Sequence, residues 1–378
     1  MANVPRFAPD GPRISDRSLR GRGAVSNRSG RFETTHRAVF DDGWGEGEED
    51  APRLKTEVAI DGSRAVINKV TSPDISFDRS INPYRGCEHG CVYCFARPTH
   101  AYLGLSAGLD FETKLTMKPD APGLLRKALS AKRYKPKPIA IGTNTDPYQP
   151  IEKQYRIMRG VLEVLSEFRH PVTIVTKSAL IVRDVDILGE MAANGLAKVS
   201  LSLTTLDASL SRKLEPRAAT PQRRLWAIRQ MSAAGIPTGA MLAPMIPAIN
   251  DHEIEALVRA AAASGATAAS YIALRLPLEV RDLFVEWLET HYPDRKDRVM
   301  RYVRELHGGK DYDPEWGKRL TGDGVYADLM RRRFQRAAAE HGLRRPNYDD
   351  GLRTDLFRRP AEETPQFSFM DRLTGDGE

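Results

Sequence analysis

Short apolar runs alternate with amphipathic helical patterns through the middle of the chain. Between the runs, apolar residues recur at helical spacing, as at Ile157, Val161 and Val164. Strands that alternate with helices indicate parallel pairing with right-handed crossovers. One further strand is expected before residue 87, so that six strand–helix units fit the pattern. The five β-compatible runs lie at 138–143, 171–177, 197–205, 238–244 and 268–276.

Capping residues predict where two of the helices begin and end. One helix is expected to begin after the N-cap Thr220, with Pro221 in its first turn, and to end at Gly235. Asn250 or Asp251 is expected to cap the next helix, because a side-chain oxygen there can accept a backbone N–H that the first turn leaves free.

The N-terminal region differs from this pattern. Residues 1–55 are expected to form a disordered arm that is first basic and then acidic. The first forty positions hold eight arginines and no lysine, and the run DDGWGEGEED follows at 41–50. With so few apolar residues, the segment cannot bury enough surface to offset its ordering entropy.

The C-terminal region also separates from the central pattern. We place the main domain at residues 66–278, a helical extension at 279–345 and a tail, expected to be disordered, at 346–378. The strongest helical pattern of the extension covers 324–343, with Arg331 to Arg333 on its polar side.

The net charge of +7 over 378 residues indicates an anionic partner. Nucleic acid, either DNA or RNA, is one candidate, and an arginine-rich solvated surface is the other explanation. The longest apolar stretches are much shorter than a membrane span, and the N-terminus lacks a hydrophobic signal core. We therefore expect a cytoplasmic protein with no membrane partner.

The cysteines carry the strongest chemical signal. The chain has three, Cys87, Cys91 and Cys94, in a CxxxCxxC arrangement. Three thiolates on one loop can hold three corners of a cubane iron–sulfur cluster and leave the fourth iron open to a small molecule. A cluster used only for electron transfer normally has four cysteine ligands. The spacing therefore favours a [4Fe–4S] cluster with one open iron.

Two alternatives use the same cysteines. Disulfides would leave one cysteine over, and the tight spacing argues against them. A closed zinc site would need His89 or His100 as its fourth ligand, since structural zinc takes four ligands. The open-cornered cluster is the preferred interpretation, and zinc remains the alternative.

The cysteine motif, with Tyr93 between its second and third cysteines and Phe95 directly after the third, resembles that of the radical SAM enzymes. The resemblance implies a [4Fe–4S] cluster that binds S-adenosylmethionine and cleaves it to a 5′-deoxyadenosyl radical, which abstracts hydrogen from a substrate. It implies an external electron donor such as flavodoxin or ferredoxin. It also implies a partial (β/α)6 TIM barrel, in which the chemistry lies at the carboxyl ends of the strands.

Polar residues stand where the apolar runs end. Thr145 and Asp146 follow the first run, Lys177 ends the second and Ser202 lies in the third. Oxygen-bearing side chains suit the ammonium group of S-adenosylmethionine, and Lys177 suits its carboxylate. The ordinary alternative is turn chemistry for the aspartate and a solvated lysine. The apolar run MLAPMIP (241–247) suits adenine.

A longer series of motifs resembles the spore photoproduct lyase-like branch of the superfamily, and within it a bacterial subgroup with the signature NPYRGCEHGCxYCFARPTH. The series includes INPYRGC, TDPYQPIE and EPR, and the similarity covers roughly residues 66–275. It implies that the three cysteines bind the cluster and that Tyr93 belongs to a path that returns hydrogen to the product. The implied cofactor-binding residues are Thr145, Asp146, Lys177 and Ser202, to which we add Arg217 of the EPR motif.

Two departures weaken the expectation of the same reaction. The lyase has an additional hydrogen-donating cysteine where this chain has Thr143, and its second tyrosine is Phe95 here. Tyr84, Tyr148 and Tyr271 remain candidate relays, although packing is the simpler role for them. The substrate is therefore open between nucleic acid or nucleotide, a protein and a small metabolite. A non-catalytic metal–thiolate sensor or nucleic-acid-binding protein is the rival class. We expect the helical extension to cover the open side of the barrel and exclude water.

Overall fold

Two β-sheets and eleven α-helices make up the part of the chain that this computed structural model describes, which is residues 21–33, 54–345 and 351–360. The strands are β1 (Glu57–Ile60), β2 (Ile67–Lys69), β3 (Arg79–Ile81), β4 (Tyr84–Arg85), β5 (Lys114–Met117), β6 (Ile139–Ile141), β7 (Val172–Thr176), β8 (Ala197–Ser202), β9 (Thr238–Met245) and β10 (Ala268–Ala273). The helices are α1 (Asp110–Thr113), α2 (Ala121–Ser130), α3 (Glu152–Tyr155), α4 (Ile157–Glu167), α5 (Val185–Ala193), α6 (Ala208–Leu214), α7 (Pro221–Ala233), α8 (Ile254–Ala263), α9 (Glu279–His291), α10 (Lys296–Leu306) and α11 (Gly324–Glu340).

The larger sheet has the order β10-β9-β8-β7-β6-β3-β2 in the described residues. Its first six strands pair in parallel, and β2 adds to β3 in the antiparallel sense. Six parallel strands with helical crossovers are the predicted partial (β/α)6 barrel, which is thereby confirmed. The smaller sheet has the order β1-β5-β4.

The apolar runs become strands because both of their faces are covered. All three residues of β6 are buried, and four of the five residues of β7 are buried. Strands covered on both faces have continuous apolar sequences, which is the pattern seen here. The outer layer consists of amphipathic helices, such as α4, which packs on α2 and turns Val161 and Leu165 inward.

The predicted N-cap is present at α7, but the N-cap predicted at Asn250 is not present at α8. The Thr220 hydroxyl accepts the Arg223 N–H at 3.4 Å, and Gly235 ends the turn after α7 at a φ of 74°. Asn250 does not cap α8. It is buried, and its amide group accepts the N–H of Ile246 and donates to the carbonyls of Thr204 and Pro244. Its side chain therefore joins two strand-end loops.

Part of the segment expected to be disordered is packed against the protein. Within residues 1–55, the stretch 21–33 is described, and Ala24 and Ser26 there are fully buried. Residues 1–20 and 34–53 lie outside the described residues. In the predicted tail, residues 351–360 are described, and Phe357 packs against Phe168 and Tyr134. The remainder, 346–350 and 361–378, lies outside the described residues.

The C-terminal extension is helical, but its helices do not form the expected lid. Helix α9 packs behind the loop that carries Cys91, with Phe284 and Trp287 in a shared apolar cluster. Helix α11 packs on α8 and α10, outside the barrel.

The loop between α10 and α11 spans the gap in the barrel instead. The Leu320 carbonyl accepts the N–H of Ala273 at the end of β10 at 2.8 Å. On the other side of the gap, Asp74 between β2 and β3 accepts the N–H of Gly317 at 2.6 Å and pairs with Arg319. The opening between the two edges is therefore bridged by a loop rather than by a helix. In the described residues, no helix is long and apolar enough to cross a bilayer.

We expect Asp74→Ala to release this loop, because it removes both the Gly317 bond and the charge partner of Arg319. Hydrogen bonds to charged groups contribute about 1.5–3 kcal/mol, so amide exchange in residues 311–323 should rise roughly 10-fold or more. Hydrogen exchange with mass spectrometry measures this change. The matched control is Asp355→Ala, which breaks an exposed pair with Arg353. Equal exchange in this loop for both variants would contradict the prediction.

Candidate active site

The three cysteines lie on one loop that follows β4. Gly86 begins the loop with a φ of 75°, which glycine adopts without strain. A Cβ at this position would meet the Phe111 carbonyl oxygen at 2.8 Å, so the close approach also requires glycine. The Cys87 N–H donates to that same carbonyl at 3.0 Å. These contacts set the direction in which the cysteine loop leaves the small sheet.

Cys87, Cys91 and Cys94 line one cavity of about 190 Å³. The facing walls come from the carboxyl ends of β6 to β10, as the fold predicts. Those walls include Thr143, Asn144, Thr145, Asp146, Lys177, Ser202, Met241, Ala243, Pro244 and Arg275. The structure thus brings the cysteines together with four of the five predicted cofactor-binding residues.

The thiols are free and suited to a metal. Burial raises the pKa of all three, and the charges of Asp146 near Cys87 and of Glu215 near Cys91 act in the same direction. A thiolate is therefore unfavourable here unless a metal replaces the proton. Because metal ligation by cysteine requires the thiolate, these thiols would release protons when a cluster binds.

The histidines of the zinc alternative face other partners. His89 Nδ1 lies 3.3 Å from an Asp146 carboxylate oxygen, and His100 Nε2 lies 3.0 Å from the Lys114 carbonyl oxygen. In residues 21–33, 54–345 and 351–360, no three His, Cys, Asp or Glu side chains converge on a single metal ion. A cubane cluster needs no such convergence, because each thiolate binds a different iron. The donor set therefore fits the cluster.

The loop after β6 supports the cysteine loop from inside the barrel. The Thr145 hydroxyl donates to the Gly86 carbonyl at 2.6 Å. Gln149 donates to Thr145 and accepts the N–H of Glu88 at 2.8 Å. Thr145 is thus placed in the cavity, but its hydroxyl hydrogen is used to hold the loop.

The Asp146 carboxylate joins three loops at the floor of the cavity. It accepts the Lys177 N–H and the Thr176 hydroxyl, each at 2.7 Å, and the Tyr148 N–H at 2.9 Å. Burial alone would raise its pKa, but the charge of His89 and these donated bonds hold the pKa of Asp146 below its ordinary value. The ionised Asp146 carboxylate therefore holds the loops at the ends of β6 and β7 together.

A second buried carboxylate, Glu215, lies beneath the cysteine loop. It accepts hydrogen bonds from the hydroxyls of Tyr93 and Thr204 and pairs with Arg224. The Lys177 ammonium lies 3.3 Å from it. Burial favours the neutral acid, but Arg224 and Lys177 hold the pKa of Glu215 well below its ordinary range.

The two remaining predicted residues differ in placement. Ser202 ends β8 and lines the cavity. Arg217 does not reach the cavity. It lies on the outer side of the cysteine loop, where its guanidinium donates to Glu88 at 3.0 Å and its N–H donates to the His89 carbonyl. Within the EPR motif, Glu215 is buried beneath the cysteine loop, whereas Arg217 lies on the outer side of that loop.

Comparisons with known proteins identify the family of this chain. A model of the radical SAM superfamily matches residues 81–261. A protein of Mycobacterium tuberculosis (strain H37Rv), itself uncharacterised, is 35% identical over 283 residues, which are 74% of this chain and 79% of the relative. The chain belongs to the radical SAM superfamily. An uncharacterised protein of Methanocaldococcus jannaschii is 26% identical over 262 residues, 67% of this chain and 92% of that relative.

Solved structures of spore photoproduct lyase share the fold of this radical SAM protein. The lyase complexed with dinucleoside spore photoproduct aligns with a TM-score of 0.54 and 16% identity, over 76% of this chain and 81% of that chain. A variant with bound S-adenosylmethionine and the dinucleoside aligns with a TM-score of 0.51 and 16% identity, over 76% and 80%. At this identity the likeness establishes the shared fold. The radical SAM resemblance noted in the sequence is confirmed, and the likeness to spore photoproduct lyase is confirmed for the fold; the bacterial subgroup signature stays a prediction.

The radical SAM cysteine loop is also held from its outer side, by residues that the sequence did not single out. The buried Arg97 guanidinium donates to the carbonyls of Cys91, Ala107 and Gly108 and pairs with the buried Glu112. The same carboxylate accepts the N–H groups of residues 23 and 24, each at 2.9 Å. The stretch 21–33 therefore covers the outer side of the loop.

A close backbone contact explains the glycines at this junction. A Cβ on Gly23 would lie 1.7 Å from the Gly90 carbonyl oxygen, and a Cβ on Gly90 would lie 2.7 Å from Glu112. No side chain fits between the two chain segments. The one sequence feature that could have indicated this contact is the glycines between the N-terminal arginines. Judged by composition alone, such a segment is predicted to be disordered.

A larger cavity of about 730 Å³ opens beside the first and shares Phe95, Thr143, Asn144 and Arg275 with it. Its charged lining residues, within the described chain, are all basic: Lys69, Arg85, Lys118, Arg275 and Arg319. Lys118 is buried, which lowers its pKa. The loop that bridges the barrel opening supplies Tyr312, Arg319 and Leu320 to this cavity.

The other candidate relay tyrosines have structural roles. Tyr84 and Tyr148 are fully buried and donate their hydroxyls to Glu152 and Asp184. Tyr271 packs its ring 5.1 Å from that of Phe334, on the side of β10 that faces α11. Of these three, Tyr84 alone lines the larger cavity.

We expect Glu112→Gln to loosen the outer support of the cysteine loop. The amide leaves Arg97 without its charge partner and turns one acceptor into a donor that faces a backbone N–H. Removing one partner of a buried ion pair costs about 3–5 kcal/mol. Chemical unfolding and hydrogen exchange of residues 21–26 would measure the loss.

The control for this prediction is Glu163→Gln, which removes an exposed partner of Arg159. An exposed pair contributes at most about 1 kcal/mol. If the two variants unfold at the same denaturant concentration, Glu112 does not hold the loop.

Proposed function

We propose that this radical SAM protein uses one [4Fe–4S] cluster, held by Cys87, Cys91 and Cys94, to cleave S-adenosylmethionine and abstract hydrogen from a nucleic acid or nucleotide. Cys87, Cys91 and Cys94 would hold the cluster. When bound and reduced, it would supply the one electron that cleaves the C5′–S bond of S-adenosylmethionine, leaving methionine and a 5′-deoxyadenosyl radical that would take hydrogen from the substrate. The chain itself would bind, orient and shield the reactants.

The observation that carries this proposal is the shared cavity. Three unpaired thiols face Lys177 and Ser202, and Met241 and Pro244 form an apolar wall beside them. The ammonium of Lys177 suits the cofactor carboxylate, the hydroxyl of Ser202 suits its polar groups, and the apolar wall suits adenine. A sensor or a structural metal site would have no use for such a cavity.

The remaining predicted residues take supporting roles in the proposal. Thr145 and Asp146 position the cysteine loop and the Lys177 backbone beside the cofactor. Arg217 is left out of the cofactor site, because it pairs with Glu88 outside the cavity. Tyr93 remains the proposed relay. Its ring lines the cavity, and its hydroxyl would have to leave Glu215 before donating hydrogen.

The preference for a nucleic acid or nucleotide rests on the larger cavity. Its charged lining is entirely basic in the described chain, and the two members without a carboxylate partner there, Lys69 and Arg275, suit phosphate groups. Three of the four arginines of α11 (Arg331, Arg333 and Arg336) pair with carboxylates of the chain, and no residue of this helix lines either cavity. The lyase neighbours bind dinucleoside spore photoproduct, which is compatible with a related substrate class.

The same dimer repair is not part of the proposal. Thr143 and Phe95 stand where the two cavities meet, and neither can return a hydrogen atom as a thiol does. Radical modification of a protein or a small metabolite is the second candidate, and no basic cavity would be needed for a neutral metabolite. We further propose a cytoplasmic protein reduced by a flavodoxin or ferredoxin.

Reductive cleavage is tested on the anaerobically reconstituted protein. With dithionite and S-adenosylmethionine, we expect 5′-deoxyadenosine by chromatography, and none from the Cys87→Ala, Cys91→Ala, Cys94→Ala triple variant. Production that persists in the triple variant would rule out these cysteines as ligands. A full four-iron cluster without product, in the presence of oligonucleotides, would favour the non-catalytic sensor.

Lys177→Ala should weaken cofactor binding and leave the cluster spectrum unchanged. A hydrogen bond to a charged group contributes about 1.5–3 kcal/mol, so the Kd for S-adenosylmethionine should rise roughly 10- to 100-fold in equilibrium dialysis. Lys153→Ala is the control, because that lysine is exposed and lies beside Arg217 on the outer side. A variant that cannot retain its cluster would show that Lys177 acts through Glu215 on the fold.

A further inference from the structure

Arg275 lies where the two cavities meet. It follows β10, the strand at the edge of the parallel sheet, and lines both the cavity of the cysteines and the basic cavity. Its guanidinium carbon lies 4.1 Å from the centre of the Phe95 ring. The ring supports one face of the guanidinium, so that its N–H groups remain available at the edge.

Three of the other four basic groups of this cavity pair with carboxylates of the chain, and the fourth, Lys69, is an exposed residue at the end of β2. Arg85 pairs with Asp61 at 2.7 Å, Lys118 lies 4.0 Å from the same carboxylate, and Arg319 pairs with Asp74. Arg275 differs from these three. In the described part of the chain, it has no carboxylate within ion-pair distance and makes no hydrogen bond.

Because Arg275 lacks a carboxylate partner in the described chain, its position favours the binding of an external anion. Arg275 is half-buried, and burial lowers its pKa, which reflects the cost of desolvating the charge. A buried charge is normally paired, because the loss of hydration must be offset. A guanidinium offers a fork of N–H donors that matches the oxygens of a phosphate.

We propose that Arg275 anchors a phosphate group of the substrate, beside the point where the radical forms. The inference rests on the proposed function and specifies the substrate as a phosphate ester. The anchor also sets position: a phosphate on Arg275 lies beside Phe95, whose ring is 42% exposed and can stack on an adjoining base. Polynucleotides and mononucleotides share this chemistry.

The test measures binding to the reconstituted holoprotein under anaerobic conditions. The probe is a fluorescein-labelled dT12, read by anisotropy at several salt concentrations. Arg275→Gln should weaken binding about 10-fold and lower the slope of log K against log salt by about 0.7, as expected for one lost phosphate contact in a single strand. The charge-matched control, Arg126→Gln, removes an exposed arginine of α2 that pairs with Glu167, and it should bind like the wild type.

Two further probes separate charge from shape and identify the source of the phosphate. A dT12 with an uncharged methylphosphonate backbone should bind the wild type and Arg275→Gln equally. Competition by dTMP at a concentration similar to that of dT12 would assign the anchor to a mononucleotide, and weak competition would assign it to a polynucleotide. Both results support a phosphate anchor.

Three results would overturn the proposal. The first is equal binding of dT12 by Arg275→Gln and Arg126→Gln. The second is no binding of dT12 or dTMP by the wild type at low salt. The third is a rise in the Kd for S-adenosylmethionine in Arg275→Gln, which would assign the arginine to the cofactor carboxylate. None of these depends on 5′-deoxyadenosine formation by the wild type without oligonucleotide, which tests the radical chemistry separately.

Discussion

The buried pair between Arg97 and Glu112 is the interaction on which the site depends. It ties three elements together: the Cys91 carbonyl of the cysteine loop, the short helix before β5 and the N-terminal stretch 21–33. Buried ion pairs contribute little net stability compared with apolar packing, but breaking one is costly. The pair therefore imposes one geometry on the loop rather than a large stabilisation. Three thiols can share a cubane only if that geometry persists.

Charge balance around the thiols follows the same logic. In the proposed function, loading a cluster would turn the three thiols into thiolates, and the ionised carboxylates of Asp146 and Glu215 lie nearby. Such a concentration of negative charge needs buried cations nearby. Arg224 and Lys177 supply them on the barrel side, and Arg97 supplies one behind the loop. Lys177 therefore has two roles. It balances the charge of Glu215 when no cofactor is bound, and in the proposed function it also binds the cofactor carboxylate.

The sequence predicted the elements that have a local signature. Parallel strands could be read from apolar runs, and their carboxyl ends located Lys177 and Ser202, because topology alone brings strand ends together. Residues that act across long separations gave no signal. Glu112 contacts residues 23 and 24, about ninety positions away, and Asn250 joins Thr204. Glu215 and Arg217 are two positions apart on a turn, and the sequence could not tell which one is buried beneath the cysteine loop.

The placement of charge also explains why composition alone could not locate a binding surface. A net charge of +7 is spread over many arginines, and a number of those in the described chain pair with its own carboxylates. In α11, Arg331, Arg333 and Arg336 pair with Asp328, Glu255 and Glu340, whereas Arg332 is exposed. An arginine that is already paired binds a phosphate weakly, because the arginine must first leave its carboxylate and the phosphate must lose its water. What a phosphate can use is an unpaired charge at a concave site. Arg275 supplies such a charge after the edge strand β10, where it stacks on Phe95 just past the last cysteine.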